Sequence, residues 1–115
     1  MITLTVHAIE KSTYIVTATF RDEDGVLVVP NAITWTLTDE VGTVINSRID
    51  VVVTPPMTTI YIVLQGLDLA MQTLETAGTV GRIVTVNADY NSTLGSNLPL
   101  KGEVRFYVDN LLKVT

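Results

Sequence analysis

The residues able to do chemistry are few and scattered. Asp22, Glu23 and Asp24 stand together ahead of Gly25, and Asp39 and Glu40 form a second acidic pair. Carboxylate oxygens on the loops of a β-sandwich are the hard ligands that Ca2+ takes, so Asp22 and Asp24 are the candidate metal ligands. The spacing of a full EF-hand loop is missing, and a solvated Asp-Gly turn accounts for the same residues. His7 is the sole histidine and cysteine is absent, so no thiolate accompanies it in a metal site. No nucleophile-elbow motif surrounds any serine. A glycosidase pair of carboxylates needs a cleft with aromatic platforms, whereas aromatics make up 6% of the chain and mostly fall at inward positions. Asn91-Ser92-Thr93 matches a glycosylation sequon, which matters only on a secretory route. The 7 glycines stand singly at turns, so no loop cradles a phosphate. No catalytic residue and no cofactor is expected.

The elements that position these residues are strands. Ala32 to Gly42 sets Ile33, Trp35 and Leu37 on one side of an extended chain and Thr34, Thr36 and Thr38 on the other, then stops at Asp-Glu-Val-Gly. Period-2 alternation of β-branched and aromatic residues marks a half-buried strand. Trp35, the sole tryptophan, is the natural centre of a core because an indole buries so much apolar surface. Before it, Ile2, Leu4, Val6 and Ala8 alternate with Thr3, Thr5 and His7. Tyr14, Val16, Ala18 and Phe20 share one face of a second strand, and Val26 to Val29 is a short apolar run closed by Pro30.

Beyond Trp35, Thr43 to Ser47 reads as the return arm of a longer-loop hairpin, and residues 49 to 54 as a short strand stopped by Pro55-Pro56. Thr58 to Leu64 points Ile60, Ile62 and Leu64 inward and Tyr61 and Val63 outward. Gly66 to Gly78 alone has helical character, with Asp68 as cap, Leu69, Met71 and Leu74 facing the core, and Gly78 as stop. Residues 82 to 90 set Val84, Val86, Ala88 and Tyr90 on one face, with Tyr90 expected in the inter-sheet layer. Asn91 to Pro99 reads as a polar loop. Gly102 to Asp109 closes the fold with Val104, Phe106 and Val108 inward and Glu103, Arg105 and Tyr107 outward. Seven or eight short strands with turn signals about every ten residues predict an all-β, immunoglobulin-like sandwich with a short helical turn in one inter-sheet connection.

The 115 residues fit a single domain spanning 1–115, with 47% hydrophobic and 17% charged residues. A net charge of −5, from 7 basic and 12 acidic residues, argues against a nucleic-acid partner, which needs a clustered basic face. No stretch approaches the ~20 apolar residues of a membrane-spanning helix. The N-terminus lacks the basic opening and apolar run of a secretion signal, so synthesis in the cytoplasm is expected. What remains is surface for partners: Val26, Leu27, Tyr61, Val63, Arg105 and Tyr107 are the candidate interface residues. The first strand and Gly102 to Asp109, with the tail Asn110 to Thr115, are the candidate edges for strand addition.

Four stretches carry a resemblance: FRDEDGVLVVPNAITWTLTDEVGTVIN (Phe20 to Asn46), QGLDLAM (Gln65 to Met71), GRIVTVNADYNSTLGSNLPL (Gly81 to Leu100) and EVRFYVDNL (Glu103 to Leu111). Together they look like the small immunoglobulin-like structural proteins of tailed bacteriophages. The resemblance implies a non-enzymatic virion protein, made in the host cytoplasm. It would dock as a capsid decoration or head–tail accessory on major capsid or tail proteins, or on copies of itself, with no nucleic acid and no membrane. The alternative is a module binding a host-surface glycan or protein, with calcium assisting at Asp22 and Asp24.

Overall fold

The computed structural model describes residues 1–72, 75 and 78–111. Its backbone is a long antiparallel hairpin, β7 (Thr79–Ser92) and β8 (Gly95–Asp109), on which both chain ends of the fold assemble. β4 (Ala32–Thr38) pairs antiparallel with β7, and β5 (Val51–Val52) adds to its far side. β1 (Ile2–Thr3) and β2 (Ala8–Ile9) both run parallel to β8. The mixed sheet therefore has the order β1-β8-β7-β4-β5, with β2 beside β1 on β8. A second, two-stranded sheet pairs β3 (Thr13–Thr19) antiparallel with β6 (Thr59–Gln65).

The two sheets share one buried cluster. Val16, Ile60, Ile62 and Leu64 come from the small sheet, and Ile33, Trp35, Leu37, Val84, Phe106 and Val108 from the large one. Tyr14 of β3 stacks on Phe106 of β8 with ring centroids 4.8 Å apart, and burial pushes the Tyr14 hydroxyl pKa up. The alternation in β4, β6 and β7 is as the sequence predicts, because in each the apolar set occupies every second residue and one pleat face is covered.

Several segments differ from expectation. The first strand is broken: Ile2 pairs with Val104 and Ala8 with Val108, so six steps along the N-terminal segment match four along β8. The surplus loops out at Leu4 to His7, where Tyr14 Oη donates to Val6 O at 2.6 Å. Ile2 and Val6 are thereby 72% and 71% exposed, leaving Ala8 buried and Leu4 partly so. Thr43 to Ser47 forms one isolated bridge, Thr38 to Val44, because Asn46 and Ser47 turn with positive φ. The strand expected over 49 to 54 shrinks to β5.

The helical expectation reduces to a 3-10 turn, Gly66–Leu69. Asp68 does not cap a longer helix: its carboxylate captures Gln65 N at 3.1 Å, and Ala70 returns to extended backbone. Leu69 is buried and Met71 packs on the core, while Leu74 lies outside the described residues. Asn91 to Pro99 is not a loop. The strands run on to a turn at Thr93–Leu94, and Pro99 fits because no described strand lies on that side of β8. Tyr90 is buried, yet it sits outside the main cluster near the hairpin tip, its hydroxyl donating to Glu23 Oε1 at 3.2 Å. Burial, then the Glu23 carboxylate, pushes its pKa up.

Candidate docking surfaces

The three acidic residues of the first turn come together, with one carboxylate oxygen from each of Asp22, Glu23 and Asp24 within 4.8 Å of the others. Their oxygens already hold the fold. Asp22 Oδ1 accepts from Asp24 N (2.9 Å) and Val26 N (3.0 Å), closing the turn at Gly25. Glu23 Oε1 accepts from Tyr90 Oη and from Ser92 Oγ (2.9 Å), bracing the hairpin tip. The cluster is thus a turn clamp before it is a cation cradle. Asp22→Ala should cost about 1 kcal/mol by freeing two N–H groups, and Ca2+ should leave the wild-type melting temperature unchanged. A calcium-dependent rise that Asp22→Ala abolishes would reverse this assignment.

The candidate interface residues fall into three places. Tyr61 (69% exposed) and Val63 (46%) lie on the outer face of the β3–β6 sheet. There Ile15 stands opposite Val63 and Thr17 opposite Tyr61, making one continuous apolar and threonine surface. Val26 and Leu27 are exposed on the arm that follows the acidic turn, where Leu27 bridges Arg21. Arg105 and Tyr107 lie on the outward side of β8, partly covered. Arg105 donates from Nε and Nη2 to Thr3 Oγ1 at 3.2 Å, approaches Glu40 Oε2 at 3.7 Å, and sits 5.8 Å from the Tyr107 ring centroid. The His7 ring lies 5.5 Å from that of Tyr107.

His7 is exposed and its Nδ1 meets Asp109 Oδ1 at 2.9 Å, while Thr79 Oγ1 donates to the same oxygen at 2.9 Å. The His7 hydrogen bond, then that of Thr79, holds the Asp109 carboxyl below its usual range. This contact fastens the N-terminal segment to β8. Of the tail Asn110 to Thr115, residues 112–115 lie outside the described residues. No described helix is long and apolar enough to cross a membrane.

Two buried charges escape the pattern reading. Asp68 is fully buried and accepts from Asn46 Nδ2 and Arg48 Nε, both at 2.8 Å, as well as from Gln65 N. Burial pushes its carboxyl up, but those donors outweigh it and hold the pKa below the usual value. Asp68→Asn should cost about 2 kcal/mol in chemical denaturation, since it weakens charge-assisted bonds in a dry site. Arg82, 1% exposed, pairs with Glu75 through two hydrogen bonds, one of 2.8 Å.

No protein-family model, curated protein or solved structure matches this chain.

Proposed function

We propose that this chain is a non-enzymatic structural protein of a tailed-bacteriophage particle, docking on a larger protein lattice as a capsid decoration or head–tail accessory protein. The phage assignment comes from the sequence resemblance. The strand order supports the immunoglobulin-like part of it: β8-β7-β4-β5 opposes β3-β6, and the first strand runs parallel to the last. The observation that carries the docking reading is the outer face of the small sheet. Ile15, Tyr61 and Val63 stand there in register and exposed, and contiguous apolar surface of this kind marks interaction sites.

Mass spectrometry of purified particles from a phage encoding this chain tests the reading. Many copies per particle are expected, and particles that lack the chain overturn it. A Tyr61→Asp, Val63→Asp double variant should fold, because both side chains face solvent, and should be lost from the particles.

A further inference from the structure

The edge of β3 turned away from β6 is open. Phe20 N donates to Thr58 O (2.8 Å) and Gly66 N to Ser12 O (3.1 Å), so the even-numbered residues of β3 are the ones bonded to β6. The N–H and C=O groups of Thr13, Ile15, Thr17 and Thr19 point the other way, where no described strand lies. All four residues are exposed. The strand Thr-Tyr-Ile-Val-Thr-Ala-Thr contains no charge, proline, glycine or bulge, which are the devices that keep edges from pairing.

The edges of the large sheet have such devices. Where β8 extends beyond β1 it carries Pro99, Lys101 and Glu103. β5 is two residues long and soon meets Pro55-Pro56. The far edge of β6 is also uncharged within Thr59–Gln65, but it begins three residues after those prolines and its Gln65 N is taken by Asp68, which shortens what is open. Beside β3 runs a mostly apolar groove of about 660 Å3, walled by Ile2, Leu4, Tyr14, Val16 and Val104, with Glu103 on its far wall.

We propose that two copies of this chain join along their β3 edges, antiparallel about a two-fold axis at Val16. Pairing Thr13 with Thr19 and Ile15 with Thr17 of the second copy places only odd-numbered residues in mutually bonded pairs. Every open group on both edges then finds a partner. On the inner side Tyr14 falls opposite Ala18 of the second copy, large against small, and Val16 meets its own counterpart.

The paired strands Thr13–Thr19 hold no charge and Glu103 stands only in the neighbouring groove, so two chains of net charge −5 meet along strands where neither carries any. That favours a second copy over a charged partner strand. The two small sheets become one four-stranded sheet whose outer face repeats Ile15, Tyr61 and Val63. This deepens the docking reading, on which it rests for its purpose but not for its test.

Sedimentation equilibrium of the full chain should show a two-chain species growing with concentration. Ile15→Lys and Thr17→Lys, both at exposed positions, should keep the far-ultraviolet dichroism of the wild type and weaken association by at least about ten-fold. The Ile15 and Thr17 amides should gain hydrogen-exchange protection as concentration rises. A chain that stays single at every concentration overturns the proposal. So does a pair that survives both lysine variants, or protection that builds on the far edge of β6. Single chains in solution together with abundant chains in particles would sink the two-fold pairing and leave the docking reading standing.

Discussion

Trp35→Ala is expected to lower the unfolding free energy by about 4 kcal/mol. The indole lies in the middle of β4, 6% exposed, its residue paired with Val86 on one side and Val51 on the other. Truncation removes its apolar surface from the cluster and opens a cavity that two hydrogen-bonded neighbours cannot close. Against a typical domain stability of about 5–15 kcal/mol, this is a large fraction of the total. Urea denaturation followed by dichroism measures it, and a loss below about 1 kcal/mol would remove Trp35 from the centre of the core. Because it is the sole tryptophan, its fluorescence in the wild type reports the same event, with emission shifting to the red as the sheets part.

Glu75→Gln is expected to cost about 3 kcal/mol, and Arg82→Met only about 1 kcal/mol. The asymmetry follows from burial. The Arg82 guanidinium is 1% exposed and its Nε has no hydrogen-bond partner among the described residues, whereas the Glu75 side chain is 21% exposed. Removing the carboxylate strands a cation in a dry site. Removing the cation leaves a carboxylate that reaches water. The double variant should recover most of the Glu75→Gln loss, and a fully additive double-mutant cycle would mean the pair is not coupled.

The pair also sets a pH dependence. The Arg82 hydrogen bonds hold the Glu75 carboxyl below its usual value against the opposing effect of burial. A depressed folded-state pKa contributes stability that is full above the unfolded value of about 4.3 and is lost as pH falls through the folded one. Denaturation at successively lower pH should show that loss, and its Glu75 share should be missing in Glu75→Gln.

Much of the fold was legible because period-2 alternation is unambiguous where one pleat face is covered, as in Ile33-Trp35-Leu37 and Ile60-Ile62-Leu64. Arg82 was legible too in principle: it lies two residues before Val84, on the same face, so parity alone puts it inside. Its counter-charge was not, since Glu75 lies outside the strand and no periodicity connects the two. The stretch Asn91 to Pro99 misled by composition. Its Ser, Asn, Gly and Pro content favours a loop, while the actual constraint is antiparallel register inherited from β7 and β8. The break at Leu4 to His7 was invisible because nothing in a strand's own sequence reveals that its parallel partner is two residues shorter. Asp68 read as a cap, and only the fold brings Asn46 and Arg48 to it. The acidic turn was legible as a turn, but its tie to the hairpin tip through Tyr90 and Ser92 is a tertiary fact.

The parallel attachment of the first segment to β8 has a mechanical consequence. Ile2 lies beside Val104 and Ile9 beside Asp109, so tension applied to the two ends of the fold pulls adjacent strands past one another lengthwise. Bonds such as Leu4 N to Arg105 O and Glu10 N to Asp109 O then bear load together instead of unzipping in turn. The arrangement is a fastener that resists stretching along the strand direction more than peeling from its side.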